Sequence, residues 1–226
     1  MKKAIILSAM MALLSSHAFA EFQIGSSFGW FWERNTYEGD MSRSFHGLDV
    51  EIKARYFFIE NVGLFFGVGS QSWFSSNNDD FLSELQTLDG VNFNDTSTFG
   101  VKLNLSFGLA LKFPVTENWD IQSDIGVFWN PWGIETISGD MRVMGVDVPM
   151  NMYIDPMSGF GFTGSIFGSH NIMPNTNLIF GLRFDLGITR NETVEVRALG
   201  TSVRDSGSPD FLGFSIAPFI GIMGRF

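Results

Sequence analysis

The sequence predicts an all-β protein, an antiparallel up-and-down transmembrane β-barrel of about eight strands with long extracellular loops and short periplasmic turns. Three observations lead there. Beyond residue 20 no apolar run reaches the eighteen or so residues of a spanning helix. Several segments alternate apolar and polar residues with a period of two, as a strand with one oily face does. The connections between those segments are short and long in turn, the asymmetry expected of a barrel with tight turns at one rim only.

The chain of 226 residues opens with Lys2 and Lys3, an apolar run from Ala4 to Leu14, and polar Ser15, Ser16 and His17 before Ala18, Phe19 and Ala20. These are the three regions of a cleavable secretory signal, too short to remain as a membrane helix. Residues 1–20 are therefore read as the signal peptide and 21–226 as one barrel domain starting at Glu21. Losing Lys2 and Lys3 would take the formal net charge from −10 to −12. So acidic a chain, without a basic tract, does not attract nucleic acid. It has no cysteine, which removes disulfides, thiol chemistry and lipid attachment through a lipobox.

The clearest strand begins at Leu48: Leu48, Val50, Ile52, Ala54, Tyr56 and Phe58 alternate with Asp49, Glu51, Lys53, Arg55 and Phe57. Phe99 to Phe113 and Leu178 to Ile188 repeat the pattern, with Lys102, Arg183 and Asp185 on the polar faces. Weaker alternation runs through Phe22–Trp32, Val62–Phe74, Trp119–Trp132, Gly159–Ser169 and Leu212–Phe226. Residues 59–61, 114–118 and 170–176 are the short connections; residues 33–46, 75–97, 133–158 and 191–211 are the long ones. Within these, Asp80–Asp89 has the spacing of a short helix, and Thr193–Arg197 with Thr201–Arg204 reads as a hairpin standing above the membrane.

A soluble barrel alternates too, with its oily face inward. Two aromatic rims decide against it: Trp30, Trp32, Trp73, Phe74, Phe99, Trp129, Trp132 and Phe214 at one end, Tyr56, Phe58, Phe113, Trp119 and Phe226 at the other. The other face carries Asp49, Glu51, Lys53, Arg55, Lys102, Arg183, Asp185 and Arg225, both signs of charge, which can pair in a lumen but not in lipid.

In the last strand Phe214, Ile216, Pro218, Ile220, Ile222 and Phe226 share one face and end on the final residue. That resembles the C-terminal sorting signal of bacterial outer-membrane barrels. With the signal peptide and strand count, the chain looks like the small eight-stranded group typified by OmpA-type, OmpX-type and OmpW-type barrels. The resemblance implies an outer-membrane location, outer-membrane lipid as solvent, and recognition by the barrel-assembly machinery. Pro218, lacking an N–H, suggests a bulge or an irregular seam beside the first strand.

Catalytic chemistry has few candidates. Ser44 and His46 are two apart, with Glu33 and Glu38 near, and this resembles the layout of outer-membrane lipid A deacylases. The competing reading is a polar strand end, since spacing alone does not make a triad. His170 reads as a turn residue. Asn77, Asn78, Asp79 and Asp80 offer oxygens for calcium but lack the EF-hand spacing. Met141, Met144, Met150, Met152 and Met157 could hold soft copper, although adaptable apolar packing is the commoner use. No metal and no cofactor are expected. The leading expectation is a non-enzymatic, surface-exposed barrel with either a structural role or a loop-mediated one of binding an extracellular ligand. The alternatives are a narrow passive channel for small or partly apolar solutes, which the OmpW-type resemblance implies, and a lipid-modifying hydrolase.

Overall fold

The computed structural model describes residues 20–37, 42–77, 91–143, 146–198, 200–208 and 210–226. The strands are β1 (Glu21–Tyr37), β2 (Ser42–Ile59), β3 (Val62–Asn77), β4 (Val91–Thr116), β5 (Trp119–Val143), β6 (Val146–Met173), β7 (Thr176–Ala198), β8 (Thr201–Gly207) and β9 (Phe211–Arg225). All pairings are antiparallel. β1 to β7 pair in sequence order, β7 pairs β9, and β9 pairs β1, which closes a ring of eight. Among the described residues β8 pairs with β7 alone and stands outside that ring.

Alternation explains the wall. In β2 the even-numbered Val50, Ile52 and Tyr56 point outward at 46%, 56% and 42% exposure, while Asp49, Glu51, Lys53 and Arg55 are buried in the interior. Bilayer, not water, must cover such a face, because the same outward apolar belt runs over Phe66, Phe107, Leu109, Ile125, Ile166, Phe180 and Ile220. No helix among the described residues is long and apolar enough to cross a membrane, so the crossing is made by strands.

The turns at one rim are tight, at residues 60–61, 117–118 and 174–175. β4, β5 and β6 have 26, 25 and 28 residues, more than twice the roughly 9 to 11 residues that cross a bilayer. Their surplus projects from the opposite rim. Residues expected to be long loops are therefore largely strand: β5 and β6 stay paired up to Val143↔Val146, and β7 and β8 form the expected upper hairpin. Together with the start of β4 they build a five-stranded sheet beyond the membrane. The expected helix at Asp80–Asp89, and the oxygen cluster after Asn77, lie outside the described residues.

The seam is closed by the last residue. Phe22 N–H donates to Phe226 O at 3.0 Å and Phe226 N–H to Phe22 O at 2.8 Å. Near Pro218 the β1–β9 ladder lapses at Trp30 and Phe31, yet Gly29↔Phe219 and Trp32↔Ile216 keep one register. The irregularity expected there is thus a local loss of pairing rather than a bulge, as befits a residue without an N–H. A second lapse interrupts β5–β6 between Asn130↔Gly159 and Glu135↔Ile154, again without change of register.

One rim residue is corrected. Trp73 was expected in the outer aromatic girdle, but it is 4% exposed and lies in the lumen, while Phe74 is 55% exposed. His46 pairs with Ser75 and Gly47 with Trp73, so Phe74 is the extra residue of a bulge and Trp73 keeps the inward parity of Gln71. The indole lies across Gly100, where an added Cβ would come within 2.1 Å of the ring. Only a glycine leaves that space.

Candidate functional site

The lumen is filled in layers, whose order follows from the strands themselves. At the tight-turn end, Glu21 at the start of β1 pairs with Lys112 of β4, and Arg225 of β9 pairs with Asp120 of β5. Above them sit two small apolar clusters, Phe57 with Phe65 and Ala110, and Phe167 with Ile179 and Met223.

The middle layer is ionic. Asp124 on β5 accepts from Lys53 Nζ at 3.1 Å, from Arg55 Nε and Nη2 at 3.0 and 2.8 Å, and from Ser165 Oγ at 3.0 Å. Lys53 also meets Glu51 at 3.1 Å. Arg183 on β7 reaches across to Asp49 at 2.7 Å and pairs with Asp185 at 3.1 Å, whose other oxygen accepts from Thr163 at 2.6 Å. Ser106 donates to Glu51 at 3.3 Å. The four charged residues of β2 are thus bonded, directly or through one partner, to side chains of four other strands, β4, β5, β6 and β7. Lys53 and Arg55 additionally lie over the rings of Phe65 and Phe167 at 4.8 and 4.6 Å. Buried charges persist only when paired and hydrogen-bonded, and these are.

Toward the outer end, Glu33 takes Lys102 and Asn35, Arg43 pairs with Glu135 at 2.5 Å, and Arg190 pairs with Glu192 at 2.7 Å. Between this set and the middle layer is a cavity of about 60 Å³, walled by Phe31, Phe45, Trp73, Phe128, Met157 and Phe211. Outside the membrane, the Arg142 guanidinium at the tip of the β5–β6 hairpin holds the Asp147 carboxyl below its ordinary value through a two-point hydrogen bond of 2.7 and 2.9 Å.

The residues singled out from sequence are now placed. Asp49, Glu51, Lys53, Arg55, Arg183 and Asp185 form one network, whereas Lys102 and Arg225 belong to the outer and inner layers. Asp124, on which the middle layer converges, was not singled out. Its signal was present, since Asp120, Gln122 and Asp124 alternate with Ile121 and Ile125, but Ser123 breaks the apolar half of the pattern. Phe214, Ile216, Ile220 and Ile222 share the outward face of β9, and Phe226 follows its end, also exposed.

The catalytic grouping of Ser44, His46 and Glu33 is not assembled. Ser44 and His46 point outward on β2, whereas Glu33 faces the lumen on β1, opposite Phe45. Alternation puts Glu33 on the other side of the wall, where it is held by Lys102. His46 instead stacks on Trp30 at 5.7 Å between ring centres, and His170 stacks on Trp119 at 4.4 Å. Met150, Met152 and Met157 are buried among the strands, and Met157 Sδ accepts from Arg190 at 3.0 Å. Among the described residues no group of three or more His, Cys, Asp or Glu is placed to hold a metal ion.

No family model and no curated protein matches the chain. Solved structures do. A major outer membrane protein from Thermus thermophilus superposes with a TM-score of 0.54 at 15% identity, over 92% of this chain and 99% of that one. Ail, the attachment invasion locus protein of Yersinia pestis, matches with a TM-score of 0.42 at 13% identity, over 90% and 98% of the two chains. Neisserial surface protein A matches with a TM-score of 0.41 at 14% identity, over 91% and 97%. What the chain shares with the first of these is its fold, and that fold, closed at eight strands with its apolar face turned outward, is the small bacterial outer-membrane β-barrel.

Proposed function

We propose that the protein is a non-conducting, non-enzymatic surface barrel, whose middle ionic layer serves stability and whose display of a surface to partners outside the cell belongs to the sheet raised above the membrane. The middle ionic layer carries this reading. Asp124 is 1% exposed, Arg55 3%, Arg183 4% and Asp49 2%, and their bonds run from β2 to β5 and β7 across the interior. A ring of eight strands leaves room for side chains rather than a pore, and here charged side chains occupy that room in mutual contact. An ion passing through would have to break several buried pairs at once, each costly to separate. The raised sheet, by contrast, is built for display: every residue of β8 is exposed.

Single-channel recording in a planar bilayer tests the first half of the reading. The purified wild-type barrel is expected to show no stepwise conductance at neutral pH. A double replacement of Arg55 and Asp124 by alanine, which removes opposite charges together, is expected to introduce brief openings. Steady conductance through the wild type refutes the plug and restores the channel reading. Retained activity toward ester-linked acyl chains that disappears in Ser44→Ala would refute the non-enzymatic half.

A further inference from the structure

We propose that the outer-lumen cavity is a binding site for a small, neutral, ring-shaped molecule carrying one hydrogen-bond-accepting oxygen, of the size and chemistry of a phenol or cyclic ketone. The inference goes beyond the display role of the upper sheet and does not depend on it.

Gln71 Nε2 and Trp73 Nε1 on β3, and Ser215 Oγ on β9, are buried without a hydrogen-bond partner among the described residues, and unlike Gln23, Asn35 and Gln122, whose amide oxygens are also unpartnered, these three residues converge on one cavity. Gln71, Trp73 and Ser215 are 1%, 4% and 4% exposed, and all three line the cavity. Two of them, the indole N–H and the amide nitrogen, can only donate. A buried donor left unmade is destabilising, so such a pair marks a place where an acceptor belongs.

The same walls set the rest of the chemistry. The lining charges Lys102 and Arg190 are already engaged by Glu33 and Glu192, and Asp185 by Arg183 and Thr163. No cation is left over to attract a carboxylate or phosphate, so the free binding capacity is neutral. Phe31, Phe45, Trp73, Phe128 and Phe211 supply ring faces and edges on several sides, which suits a flat ring packed offset or edge-on. A volume of about 60 Å³ holds on the order of five waters counted by the space their centres occupy. That is room for a six-membered ring with one substituent. The middle ionic layer, to which Asp185 belongs, closes the cavity on its inner side, making it a terminus rather than a stage in a passage.

Three probes of similar size decide the matter: phenol, toluene and benzoate, each titrated into the barrel in lipid nanodiscs. The indole N–H resonance of Trp73, assigned by its loss in Trp73→Phe, reports directly on the donor. Phenol is expected to shift that resonance saturably and downfield, and toluene to bind about ten-fold more weakly for want of an acceptor. Benzoate is expected to leave it in place. Gln71→Leu, which keeps volume and removes a donor, is expected to weaken phenol by about five- to ten-fold. Toluene equal to phenol means that the donors are idle and overturns the proposal. Benzoate stronger than phenol overturns the neutral ligand, and no saturable shift with any probe shows a cavity that holds water only. If Gln71→Leu fails to fold, the wild-type series still gives one of these answers. None of them bears on conductance, so the plug reading stands or falls separately.

Discussion

Removing Asp124 should unbalance the whole middle layer. Its carboxylate takes four hydrogen bonds, from Lys53, from two nitrogens of Arg55 and from Ser165. In Asp124→Ala, Lys53 keeps Glu51 at 3.1 Å. Arg55 keeps only a 3.7 Å contact to Met223 Sδ and the ring of Phe167. One guanidinium is thus left buried and uncompensated, a situation that costs about 3 to 5 kcal/mol when a buried pair loses one member. With a urea slope of about 2 kcal/mol/M, the unfolding midpoint should fall by roughly 1.5 to 2.5 M. Urea titration in detergent, read by heat-modifiable migration on gels and by tryptophan emission, measures it. Asp124→Asn, which keeps the bond to Ser165, should fall between wild type and alanine. Adding Arg55→Met to Asp124→Ala should recover more than half the loss, because the charge and its partner then leave together. A loss below about 1 kcal/mol in Asp124→Ala, within the range of an exposed ion pair, would show that the layer is hydrated rather than mutually paired and would refute the reasoning.

Three further outcomes are expected. Ile52→Arg puts a charge on a side chain that is 56% exposed to lipid and should cost about 2 to 4 kcal/mol near the midplane; lumen replacements that keep their partners paired should be milder, and equal damage from Ile52→Arg and Lys53→Ile would count against the assigned faces. Deleting Phe226 removes both backbone bonds to Phe22, so the folded fraction in outer membranes should drop far more than in Phe226→Tyr; normal insertion of the deletion would contradict the role of the final strand in assembly. Gly100→Ala should push the Trp73 indole from its place and cost about 1 to 3 kcal/mol as an overpacked site, seen as a changed emission maximum; an unchanged spectrum and midpoint would show that the ring has room elsewhere.

Much of the barrel could be read from alternation because lipid and lumen impose opposite demands on neighbouring residues. Where both demands act, as from Leu48 to Phe58, each side chain's direction follows from its position alone. Beyond the membrane the outward face no longer meets lipid, so Thr136, Ser138 and Asp140 read as loop, although they continue β5 in register with β6 and the inward face keeps Ile137, Met150, Met152 and Ile154 buried. Trp73 was misplaced for another reason: a single extra residue at Phe74 changes which of two adjacent aromatics turns inward, and composition does not reveal a bulge. The charged residues of the lumen were legible as inward, but their pairing was not. Which carboxylate meets which cation depends on strand tilt around the ring, and that joins Asp124 to Arg55 across 69 positions of sequence. The grouping of Ser44, His46 and Glu33 failed on parity, since Glu33 pairs opposite Phe45 and so faces the other way from both.

The long reach of those ion pairs constrains how the protein can enter a bilayer at all. Arg183 and Asp49 are 134 residues apart, Lys112 and Glu21 are 91 apart, and Arg225 and Asp120 are 105 apart. A sheet that crossed the membrane two strands at a time would leave Asp49, Glu51, Lys53 and Arg55 open to hydrocarbon until β5 and β7 arrived. The cost of that intermediate forbids it. Strands must therefore gather before they cross, with the charges kept wet until the ring shuts, so that insertion and closure are one cooperative event with a slow, topology-limited barrier.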